Sequence, residues 1–143
     1  MKIILFLSLL IWVIPGFGKV KIQKPRSQHV TAFAIIVDEM TLEKTGGAVE
    51  AYRDALEADG LSTYIVSGNW KNPDEVKAEI IKLNKRKPVL EGVVFIGDIP
   101  VALIRNAQHM TTAFKMNEDE FPFPESSVPS DRFYDDLHLT FDF

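Results

Sequence analysis

Thr31-Ala32-Phe33-Ala34-Ile35-Ile36-Val37, followed at once by Asp38-Glu39, is the stretch on which the fold turns. Its shortness, its β-branched residues and its abrupt acidic end read as a strand buried on both faces. Beyond it, Val49, Tyr52 and Leu56 recur at helical spacing, with Ala48 and Ala55 beside them, within Met40 to Asp59. Gly46-Gly47 weakens the front of that helix, so its stable part is expected to begin there. Gly60 stands where a glycine with positive φ would close it. Leu61 to Val66 is a second strand, and Ser67-Gly68-Asn69 a loop. Asn72-Pro73-Asp74-Glu75 reads as a helix start, with an Asn cap, Pro in the first turn and acids at the positive end of the dipole. Val76, Ile80 and Leu83 form its apolar stripe. Lys82, Lys85, Arg86 and Lys87 complement its other end, or alternatively make a basic docking patch, and Pro88 stops it. Val89 to Ile96 supplies a third strand, ended by Gly97-Asp98-Ile99-Pro100.

Strand, helix, strand, helix, strand with short links predicts an α/β domain: a parallel sheet with helices on both faces. Ligands of such sheets sit at the strand ends. Asp38-Glu39 and Asp98 are placed there.

Upstream, Lys19 to Thr31 holds Lys19, Lys21, Lys24, Arg26 and Pro25, and reads as a basic linker that is either solvated or in contact with an anionic surface. Before it, Lys2, the apolar run Ile3 to Ile14 broken only by Ser8, then Pro15 and Gly16-Phe17-Gly18, fit a secretory signal peptide cut after Gly18. The run is short for a bilayer span. A secreted, periplasmic or cell-surface location is expected, with no integral membrane segment after cleavage.

The chain of 143 residues is 46% hydrophobic and 25% charged, the range of one globular domain. A net charge of −4 disfavours nucleic acid as a partner. The absence of cysteine excludes disulfides, thiolate metal sites and a cysteine nucleophile from this polypeptide. His29, His109 and His138 are too scattered for a zinc site. No cofactor is called for. Trp70 is expected to pack beside the second helix.

Past Pro100 the pattern loosens. Val101 to Ala113 reads as a short helix or turn, and Asn117 to Pro129 as an acidic surface loop flanked by Phe114, Phe121, Phe123 and Phe133. Leu137 to Phe143 alternates apolar with polar, a half-buried strand. The alternation reaches Phe143 without a turn or cap, so the expectation is a C-terminally incomplete sheet whose last strand needs a partner. From Glu118 onward, eight acids face one base, Arg132. A solvated loop, acids whose partners lie elsewhere, and a metal site are all open, but the spacing fits no defined calcium loop.

Two motifs stand out together: a strand running into Gly97-Asp98-Ile99-Pro100, and Ser130-Asp131-Arg132-Phe133-Tyr134 followed by Asp135, Asp136 and Asp142. The pair resembles the gingipain-type cysteine peptidases over Ala32 to Phe143. That resemblance implies a partial caspase-like (flavodoxin-like) fold, export from a bacterium and, in the full-length family, peptide or protein substrates. It also implies a cysteine nucleophile activated by a histidine, both C-terminal to the second motif. Neither His109 nor His138 maps onto that histidine, so no catalytic residue is assigned here. The resemblance implies Asp98 at the strand end on the active-site side, with Asp131, Tyr134 and Asp142 along a pocket wall. The competing expectation is that Asp98 and Asp131 cap turns and Tyr134 packs.

Three functions follow as expectations: an N-terminal peptidase fragment inactive on its own; a secreted non-catalytic accessory module that completes its sheet with a partner chain; and a phospho-receiver-like domain with Asp38, Glu39 and Asp98 as an acidic magnesium pocket. An export signal removes the chain from cytoplasmic kinases, and no later lysine-bearing strand is evident. Both facts oppose the third.

Overall fold

The computed structural model describes residues 20–104, 119–121 and 126–138. Strand β1 is Lys21–Gln23, β2 is Thr31–Asp38, helix α1 is Glu39–Ala58, β3 is Leu61–Gly68, α2 is Pro73–Asn84 and β4 is Val89–Ile96. The sheet order is β1-β3-β2-β4. β2 lies between β3 and β4 and is parallel to both. β1 runs antiparallel to β3, with Lys21 opposite Ser67 and Gln23 opposite Ile65. The α/β class holds, but the sheet is mixed rather than wholly parallel.

The alternation of side chains along β2 explains why one strand needs two helices. Ala32, Ala34 and Ile36 pack with Tyr64 and Val66 beneath Val76, Ile80 and Leu83 of α2. Ile35 and Val37 point the other way with Ile65, against Val49, Leu42 and Leu56 of α1. A central strand covered on both faces must be apolar along its buried length, which is the pattern of Ala32 to Val37. Each buried Ile or Val there contributes about 1.5–3 kcal/mol. The helices lie on opposite faces because the chain moves from β2 to β3 in one direction and then crosses back to β4.

Helix α1 begins earlier than its glycines imply. Asp38 is extended (φ −74°, ψ 152°) and its Oδ1 accepts the Thr41 amide at 2.9 Å, so the first turn forms directly after the strand. The glycine pair leaves a different mark: Thr45, just before it, has φ −124° and ψ 15° and kinks the helix. Gly60, at φ 94°, closes α1 as expected. In α2, Asn72 Oδ1 accepts the Glu75 amide at 3.0 Å and Pro73 occupies the first turn.

The basic segment before β2 is ordered, although Lys21, Lys24 and Arg26 stay exposed. Besides forming β1, it is fastened to α1. Lys21 Nζ meets Glu39 at 2.7 Å. Arg26 donates to both carboxylate oxygens of Asp54 (2.7 and 2.9 Å) and to Glu50 (3.0 Å). The buried Glu57 carboxylate accepts the Arg26 amide at 2.9 Å, the Ser27 amide at 3.0 Å and the Ser27 hydroxyl at 2.8 Å. The anionic surface that these bases meet is the chain's own helix.

After β4, β5 (Leu103–Ile104) pairs antiparallel with β6 (Val128–Pro129), and α3 (Arg132–Asp135) carries Phe133 and Tyr134 into the core on the α2 side. The helix or turn expected from Val101 is a strand at residues 103–104, and the expected acidic loop ends in strand at 128–129. Leu137 and His138 form a turn where an alternating strand was expected. The remainder of that alternation, Asp142 included, and the signal segment 1–18 lie outside the described residues.

Candidate functional site

The strand order reverses at β2 and β4, and the carboxyl ends of this adjacent pair are where a doubly wound sheet opens a crevice. Asp38 ends β2 there, 8% exposed. One oxygen caps α1; the other, Oδ2, accepts the Asp98 amide at 2.8 Å. A single carboxylate thus ties the start of a helix to the loop after the neighbouring strand, across sixty positions of sequence. Burial disfavours its charged form, but hydrogen bonds from Thr41 and from the Asp98 amide outweigh that and hold its pKa below the ordinary carboxylate value.

Gly97 makes the approach possible. Its φ of 87° is in the left-handed region, and a Cβ there would run into Asp38 Oδ2 and Thr41 Oγ1. Trp70 closes the other side: its Nε1 donates to Val37 O at 3.1 Å and its ring lies against Gly68. It is a buried wall of the crevice, as much a part of the strand ends as of the second helix's surroundings.

Between these parts lies a cleft of about 300 Å³ lined by Asp38, Glu39, Met40, Glu43, Gly68, Asn69, Trp70 and Asp98. Its rim carries acids and an amide, with no thiol, imidazole or hydroxyl nucleophile. Such a lining favours a cationic or hydrogen-bond-donating group. Among the described residues, no three acids or histidines converge with metal-ligand geometry.

Asp98 therefore stands at the strand end, its side chain exposed and its backbone in the clamp. Tyr134 stands elsewhere, buried on the α2 side. Its hydroxyl donates to Pro100 O at 2.6 Å, and its ring lies 4.7 Å from Phe95 and 5.1 Å from Phe133. Burial, reinforced by the charges of Asp131 and Asp74, pushes its pKa up to about 12, so it remains a neutral donor. Asp131 occupies the N-cap of α3 without a side-chain cap bond; its carbonyl accepts the Tyr134 and Asp135 amides. The Ser130 amide donates to Ala102 O at 2.9 Å. Lys77 of α2 reaches across to this segment, donating to Asp136 O at 3.0 Å with its ammonium 4.4 Å above the Phe133 ring. Burial lowers its pKa.

The structure brings the two sequence motifs together but does not put Asp131 or Tyr134 in the acidic cleft. His138 borders a separate open hollow with Arg132, Asp135, Asp136 and Leu137. His29, bonded to Ser27 Oγ at 3.0 Å, is at the opposite end of the sheet. The clamp role of Asp38 is the feature the sequence concealed; the trace it left is an acid at a strand end with a threonine three positions on.

Comparison with family models, with curated proteins and with solved structures finds no match to this chain.

Proposed function

We propose that this chain carries the front portion of a caspase-like unit of the gingipain type, exported, and without peptidase activity of its own. The observation that supports the reading is the docking of Ser130–Tyr134 onto the segment after β4, through the Tyr134–Pro100 and Ser130–Ala102 hydrogen bonds. Two motifs separated by some thirty positions adjoin in the fold, and this adjacency supports reading them as one unit. The β2/β4 crevice would then be the floor of a substrate groove, with Asp98 on its rim. The reactive sulfur has to come from residues other than these, since the 143 include no cysteine.

The test is hydrolysis by the purified chain of casein and of a broad fluorogenic peptide library, with and without thiol reductant. The expected result is no cleavage above buffer. Hydrolysis that copurifies with the chain and disappears in Asp98→Asn would overturn the proposal, because it would show an active centre that needs no thiol.

A further inference from the structure

Among the described residues β4 is an outer strand of the sheet, paired with β2 alone. The far edge differs in length, because its outer strand is β1, three residues long against eight in β4. On β4, Leu90, Val93 and Phe95 lean toward the α2 side, and Val94 and Ile96 toward the α1 side. All five remain half-buried, whereas Ala34 to Val37 beside them on β2 are shut from solvent. Among the described residues this edge has no second strand beside it and carries apolar side chains toward both faces, the character of a template for another strand. A register shift leaves Glu91 bulged out of the β2 pairing, so the regular part of the edge is Gly92–Ile96.

Charge singles out the occupant. Lys85, Arg86 and Lys87 precede the strand, exposed and without an ion pair among the described residues. Asp98 follows it, exposed, with Glu43 further along the same acidic cleft. A parallel neighbour of the same kind would set base against base. An antiparallel copy sets each basic end beside the other's acidic end. We propose that the β4 edge is self-complementary and pairs two copies of this chain antiparallel, as a two-fold dimer with one sheet continuous across both. This goes beyond the peptidase reading and does not depend on it.

Sedimentation equilibrium over a concentration series tests the proposal on the full chain. A dimer is expected at low salt, weakened at high salt. Lys87→Glu and Asp98→Lys each act at two symmetric contacts, so each should weaken dimerisation about tenfold, and the two together should restore it. The exchange of charges separates this pairing from association through the apolar leader Ile3 to Ile14, which neither substitution touches. A monomer at every concentration would overturn the proposal. So would a dimer indifferent to both reversals, or a double variant no tighter than the singles.

Discussion

Replacing Asp38 with alanine tests the clamp at the strand ends. The substitution removes the cap of α1, a loss of about 1 kcal/mol. It also removes the charge-assisted acceptor of the Asp98 amide, a further 1.5–3 kcal/mol or so. The two losses concern different amides, so they add to about 2.5–4 kcal/mol, a large share of the roughly 5–15 kcal/mol that holds a domain folded. Asp38→Asn keeps one acceptor oxygen and gives up the charge, so it should fall between wild type and alanine. Urea unfolding at neutral pH, followed by far-UV circular dichroism and by the fluorescence of Trp70 beside the clamp, measures both. The sign of the pH dependence is fixed by the direction of the shift. Asp38 has a depressed pKa in the fold, so its contribution is present above the unfolded value of 3.8 and is lost as pH falls through the folded one. The gap between wild type and Asp38→Asn should therefore close in acid. An alanine variant as stable as wild type at pH 7, or a gap that stays constant into acid, would refute the clamp.

Gly97→Ala should destabilise at least as much as Asp38→Ala, because a side chain at φ 87° is strained and its Cβ strikes the Asp38 carboxylate; thermal denaturation of the two single variants and the double shows coupling if they share one mechanism. Glu57→Gln should cost about 1–3 kcal/mol through loss of the charged acceptor for Arg26 and Ser27. Burial opposes its ionisation, yet the Ser27 and Arg26 bonds lower its pKa, so its share of stability is present above the unfolded value of 4.5 and fades as pH falls through the folded one. The variant should accordingly show a shallower acid limb in a pH series of chemical denaturation.

The parts of this fold written in local chemistry were legible. The run Ala32 to Val37 gives the central strand because a strand covered on both faces has no polar positions to hide. Asn72-Pro73 and Gly60 mark helix ends because capping and positive φ are properties of single residues. What escaped depends on distant partners. The propensity of Gly46-Gly47 argued for a late helix start, but the Asp38 cap and packing on β2 and β3 outweighed it, leaving only a kink at Thr45. Three residues of β1, two of them polar, carry no strand signature; they are ordered by β3 and by acids on α1. The docking of Tyr134 on Pro100 was not legible: the resemblance implied only a pocket wall, and the bond joins positions 34 apart.

The short strand β1 also limits what the molecule can become. A sheet open on both sides can recruit copies without end and grow into fibres. Here the outer strand of one flank is Lys21–Gln23, three residues long and held to α1 by the Lys21–Glu39 pair, so among the described residues the longer edge open to recruitment is the opposite one. Stripping that stopper away would turn a self-limiting assembly into one with no natural end.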